Sequence, residues 1–109
     1  MRAVGEFPPD IQLAELVVLA GTMGHGRWRL VSDVAQVVAS YLRCHPRVEA
    51  VRYPGLKDDP LFAEAACTLV GGFGPFVDFR VAGEWRRVEC GPGDPREAVM
   101  QLEYALAAE

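Results

Sequence analysis

The hydrophobic pattern of this chain changes period several times, and each change marks an element. After the "FPPD" punctuation at 7–10, apolar residues crowd "IQLAELVVLA", a helix that Asp10 can cap. Gly21, Gly24 and Gly26 weaken helix formation and predict a break or kink. A longer helix follows. Trp28, Val31, Ala35, Val38 and Leu42 recur at helical spacing, with Leu30, Val34, Val37 and Tyr41 beside them. Arg27, Arg29, Asp33, Gln36 and Arg43 take the other face, and Pro46 ends the helix.

"VEAVRY" then reads as a strand, closed by a Pro54-Gly55 turn. Asp59-Pro60 predicts a helix with Asp59 as N-cap and Pro60 in the first position. Leu61, Phe62, Ala65, Ala66 and Leu69 supply its apolar face, and Gly71 and Gly72 stop it. "PFVDFRV" alternates with period two. Val77, Phe79 and Val81 point one way, Asp78 and Arg80 the other. Ala82-Gly83-Glu84 is a tight connection to "WRRVEC", which makes a hairpin. Asp94-Pro95-Arg96-Glu97 is a capping box for a last helix with Val99, Leu102 and Leu106 inward. The predicted order is α-α-β-α-β-β-α over one small domain, 1–109. The class is α+β, with a mostly antiparallel sheet of about three strands and helices packed on one face.

Composition narrows what such a domain can do. Half of the 109 residues are hydrophobic, so a core is expected and disorder is not. A formal net charge of −4 leaves no basic surface of the size nucleic acid demands. The longest apolar run, "LVVLAGTM", is too short to span a bilayer. Asp10 and Glu15 interrupt the one apolar stretch near the start, so no signal peptide is read there and a cytoplasmic protein is expected. Cys44, Cys67 and Cys90 are odd in number and lack C-x-x-C spacing, which fits a reducing compartment. Ten of the eleven basic residues are arginine, so any lysine chemistry falls to Lys57.

Four groups invite a chemical reading. "GGFG" at 71–74 follows a helix and precedes a strand, the reverse of a phosphate-cradling loop, so it is read as a helix stop and a tight turn into the sheet. Lys57 lies between Leu56 and two aspartates in a surface turn, where its pKa would rise rather than fall, so no Schiff-base role is expected. His25, Cys44-His45, Cys67 and Cys90 lack metal-ligand spacing and a third group to orient a Cys-His pair. Phe73, Phe76, Phe79 and Trp85 are core candidates, part of which stays exposed if the helices cover one sheet face only.

One block of residues carries a resemblance. "HPRVEAVRYPGL", then a proline-started helix, then "GGFGPFVDF" resembles the C-terminal domain of the Cys/Met-metabolism PLP-dependent enzymes. This trans-sulfuration group includes cystathionine γ-synthase, the cystathionine lyases, methionine γ-lyase and O-acetylhomoserine sulfhydrylase. "FPPDIQLAELVVLAGTM" looks like that domain's opening helix, and "RRVECGPGDPREAVMQLEYALA" like its closing strand and helix. The large domain, with the Schiff-base lysine, the pyridine-nitrogen aspartate, the stacking tyrosine and the phosphate loop, has no counterpart in these residues. Roughly forty residues of the family's small domain, including a segment lining the substrate site, also have none between "VDFRVAGE" and "WRRVEC".

The resemblance implies one site residue. With Gly91 aligned to the family's glycine, Arg87 takes the place of the arginine that grips the substrate α-carboxylate, and Arg86 replaces an apolar inward residue. The residues themselves leave a plainer alternative, a strand arginine paired with Glu89 or Asp78. The chain alone is therefore expected to bind no PLP and no metal and to carry no complete catalytic set. Two function classes remain. One is part of a split PLP enzyme, docking on a separately encoded PLP-binding large-domain chain. The other is a degenerate, non-catalytic module that forms a homo-oligomer or binds another protein. A small-molecule-binding module resembling an amino-acid sensor is a third class, recommended by fold type alone.

Overall fold

The computed structural model describes residues 2–6 and 12–108. Its elements are β1 Arg2–Gly5, α1 Leu13–Met23, α2 His25–Arg43, β2 Ala50–Arg52, α3 Phe62–Thr68, β3 Phe76–Val81, β4 Glu84–Glu89 and α4 Pro95–Ala107. The four strands form one sheet in the order β1-β4-β3-β2, and every pair is antiparallel. The α+β class is as the sequence predicts. The sheet has one strand more, β1, which adds to the free side of β4. Four residues offer too few alternations to signal a strand. Backbone pairing with Trp85, Arg86 and Arg87 makes β1 one, with an irregularity between Ala3 and Gly5.

Helix α2 organises the core. Trp28, Val31, Val34, Ala35, Val38, Ala39 and Leu42 are all buried along it. Those from Val34 to Leu42 meet Val77, Phe79 and Val81 of β3 and Leu102 and Leu106 of α4, in one cluster with Tyr53, Leu56 and Cys90. Full burial of one such side chain stabilises by about 1.5–3 kcal/mol, so this stripe is the main source of stability. The neighbouring positions Leu30 and Val37 stay exposed. The break between the first two helices falls at Gly24. The proposed cap Asp10 lies outside the described residues.

Two capping expectations change. Asp59 does not cap α3, which starts at Phe62. The Asp59 carboxylate is buried instead. It accepts from Arg52 Nε at 3.0 Å, from the Tyr53 amide at 2.9 Å and from the Leu61 amide at 2.9 Å, which ties the loop at 53–61 to the end of β2. A carboxylate with three donors is worth more there than at one helix start. Asp94 does cap α4, with Pro95 in the first turn, and its bond comes from the Arg96 amide at 2.9 Å. That amide, followed by the Arg96 side chain, lowers the Asp94 pKa.

The hairpin turn is the other determinant. Val81 pairs with Glu84, so the loop is the two residues Ala82 and Gly83. Both have positive φ, +52° and +77°, as a type I′ turn requires. Alanine is strained there by about 1–2 kcal/mol relative to an unstrained conformation. Ala82→Asn, which creates the favoured Asn-Gly pair, is expected to raise unfolding stability by roughly 0.5–1 kcal/mol. Chemical denaturation of the two proteins checks this, and a lower midpoint for the variant would count against the turn assignment.

Candidate functional site

The glycine run and Arg87 are the two features the sequence singles out, and the fold uses them differently. The run at 71–74 lies over α2. Trp28 Nε1 donates to the Gly72 carbonyl at 3.2 Å, the Gly74 amide donates to Ser32 Oγ at 3.0 Å, and Tyr53 Oη donates to the Gly74 carbonyl at 2.9 Å. A Cβ on Gly72, whose φ is +149°, would stand 2.3 Å from the Ser32 side chain. Glycine is therefore demanded by close approach and backbone conformation together. Gly74 spends its amide on Ser32, and the run precedes a strand, so the loop is a packing device as the sequence predicts. Burial first, then Cys90 and Asp33, raise the Tyr53 pKa well above that of an ordinary phenol, so Tyr53 stays a neutral donor.

Arg87 sits on the sheet face opposite the α2 core. Alternation puts Phe76, Asp78 and Arg80 of β3 on that face, and the register places Glu89, Arg87 and Trp85 of β4 beside them. Arg52 of β2 comes level with Asp78. Arg86 falls on the core face, opposite Phe79, with 12% of its side chain exposed and Glu84 Oε1 at 3.3 Å. The two adjacent arginines thus point to opposite sides of the sheet. Arg80 lies over the Trp85 ring at 5.8 Å and near Glu49 at 3.5 Å.

The sequence places Asp78 on a polar strand face. The structure buries it completely, its side chain 0% exposed. Arg87 meets it side-on, Nε to Oδ1 at 2.8 Å and Nη2 to Oδ2 at 3.2 Å. The Arg87 side chain is 20% exposed, and its Cζ stands 5.1 Å from the Phe76 ring centre. The bond to Asp78 is the main cause that raises the Arg87 pKa, with burial opposing it and the charges of Asp78 and Glu15 adding to it. Of the two partners the sequence offers, Asp78 is the one used; Glu89 is exposed. Burial of Asp78 has no local signal, because it follows from how the other elements close over the strand.

The remaining candidates stay apart from this face. Lys57 is exposed in the turn after Pro54-Gly55. Among the described residues no group of three or more His, Cys, Asp or Glu side chains is placed to hold a metal. No helix among the described residues is long and apolar enough to cross a membrane. Two surface concavities of about 330 Å³ lie elsewhere. One, beside β2, carries the pairs Arg43–Asp58 at 2.8 Å and Arg52–Asp59 at 3.0 Å. The other lies between Arg29, Asp33 and the glycine run. The first is a chain of mutually satisfied charges, and neither includes Arg87.

Two measurements follow. Arg87→Ala leaves a buried carboxylate without its guanidinium, which costs about 3–5 kcal/mol; Arg87→Lys restores charge but not the two-pronged match, and recovers part of it. Urea unfolding checks both, and a loss below about 1 kcal/mol for Arg87→Ala would show that the pair carries little of the fold. The second concerns thiols. Cys44 and Cys67 are exposed, whereas burial, and then Glu89, push the buried Cys90 thiol up to about 11. A thiol reagent near neutral pH is expected to modify two cysteines promptly and the third only on unfolding. Because the folded Cys90 pKa exceeds the unfolded value of about 8.5, its contribution to stability is intact below that pH and is lost as pH rises through about 11.

No family model matches the chain. A solved structure from Campylobacter jejuni, described as an O-acetylhomoserine (thiol)-lyase with N′-pyridoxyl-lysine-5′-monophosphate, has a similar fold, with a TM-score of 0.68 at 14% identity. The match covers 74% of this chain and 29% of that one, so this chain spans under a third of the length of that protein. At that identity the likeness is one of fold, and this chain shares the fold of part of that structure.

Proposed function

We propose that this chain is a shortened relative of the small domain of the Cys/Met-metabolism PLP-dependent enzymes, and that it works against a PLP-binding large domain supplied by a separately encoded chain. The observation that carries this reading is the fold likeness over 74% of the chain to a protein described as an O-acetylhomoserine (thiol)-lyase. The "YPGL" and "GGFG" block adds support: "YPGL" follows β2 and "GGFG" leads into β3. The reaction class is carbon–sulfur lyase or trans-sulfuration chemistry on an amino acid. Arg87 is the residue offered to the substrate carboxylate, held in orientation by Asp78 and the Phe76 ring.

The residues of this chain do not fit a covalently held PLP. A Schiff-base lysine has to face an enclosed cleft so that its pKa falls. Lys57 is the single lysine, and it is exposed and lines neither concavity. The cofactor and its lysine therefore belong to the partner. The second reading, a non-catalytic interaction or oligomerisation module, draws on exposed Val17 and Val18 of α1 and on the occupied fork of Arg87.

Mixing the pure chain with PLP is expected to leave no stable visible absorbance after dialysis; a lasting band that vanishes in Lys57→Ala would overturn the assignment of the cofactor to a partner. Co-purification with a large-domain chain, followed by kinetics, tests the rest. Arg87→Lys in that complex is expected to raise KM for the amino-acid substrate by up to about tenfold, because the charge stays but the planar guanidinium donors are lost. An unchanged KM would remove the carboxylate role. Light scattering that shows a stable homo-oligomer with no affinity for such a chain would favour the second reading.

A further inference from the structure

We propose that Asp78 is an internal carboxylate seated in the fork of Arg87, and that it sets how strongly Arg87 can hold an external carboxylate. The inference rests on the reading of Arg87 as a carboxylate-binding residue and adds a specificity-determining residue to it. A guanidinium binds an external carboxylate best through two parallel N–H donors in one plane. In this protein the Nε and Nη2 donors are both committed to Asp78, at 2.8 and 3.2 Å. Asp78 cannot swing aside freely, because it is wholly buried in the middle of β3 with strands paired on both sides. Phe76 stands 5.1 Å from the Arg87 guanidinium carbon. Among the described residues, Nη1 is the Arg87 nitrogen with no hydrogen-bond partner.

Charge points the same way. The Asp78 carboxylate offsets the charge of Arg87 and takes two of its donors, so an incoming anion does not meet an open guanidinium fork. Glu15 adds a further negative charge near Arg87. The site is thereby tuned for a weak, end-on carboxylate contact. Asparagine at position 78 keeps the size but turns an amide N–H₂ towards the Arg87 donors, which opens the fork and restores the positive charge. Serine shortens the side chain and does the same by vacating space. Asp78 acts through Arg87 and is a positioning residue.

Acetate is the probe. Its binding is followed by the ¹⁵N-labelled arginine Nε–H resonances at constant ionic strength, with Arg87 assigned by its loss in Arg87→Lys. In the wild-type chain the Arg87 signal is expected to stay unmoved by acetate. In Asp78→Asn and Asp78→Ser it is expected to shift and saturate, with an affinity at least about tenfold above wild type. Asp78→Asn/Arg87→Lys is expected to show no such site. A wild-type Arg87 signal that responds as strongly as the variants would overturn the masking role of Asp78 while leaving Arg87 a carboxylate ligand. Two folded variants that both ignore acetate would remove the carboxylate reading of Arg87, and this inference with it. If one variant unfolds, the wild-type titration and the other variant decide the matter.

Discussion

A carboxylate buried without contact to water has to be matched, and Asp78 is matched by the register of one hairpin. The side-on pair with Arg87 exists because β3 and β4 align residue 78 with residue 87. That alignment is set by a two-residue loop at Ala82 and Gly83, both at positive φ. A slip of one residue would turn Arg87 to the core face and set Asp78 opposite Arg86 or Val88, so the observed pair would be lost. The buried pair and the tight turn therefore specify the same register, one electrostatically and one conformationally. Such a pair adds less to stability than to uniqueness, since separating it is far costlier than forming it is favourable.

The other face of the sheet is governed by contact rather than charge. Helix α2 brings Trp28 and Ser32 against the glycine run, and a side chain at Gly72 would collide with Ser32. This closeness lets Tyr53 reach the Gly74 carbonyl from below and fixes where β3 begins. The glycine run, read in the sequence as a helix stop and a turn into the sheet, is consumed by the fold. Arg87, which looks like an ordinary strand arginine, is the group left with a free donor beside an aromatic ring.

These two faces explain why the fold and the chemistry separate. The likeness to part of a solved structure describes the scaffold, and a scaffold hosts chemistry only through the groups placed on it. Here Lys57 is exposed in the loop after β2, while Arg87 and Asp78 form a preorganised pair.

The sequence by itself determined the elements with strong periodicity or sharp punctuation. The α2 stripe, the β3–β4 hairpin, the Asp94-Pro95 helix start and a break among Gly21, Gly24 and Gly26 all follow from local spacing and backbone preference. It also named Asp78 as one of two possible partners for Arg87. The fourth strand was not legible, because four residues become a strand only when a neighbour offers hydrogen bonds. The role of Asp59 was not legible either, since three donors from the end of β2 and the two ends of the loop at 53–61 outweigh one helix cap. Nor was the complete burial of Asp78. Alternation tells which face a residue takes, but only tertiary closure decides whether that face meets water, and so whether its charge is a solvated decoration or a constraint.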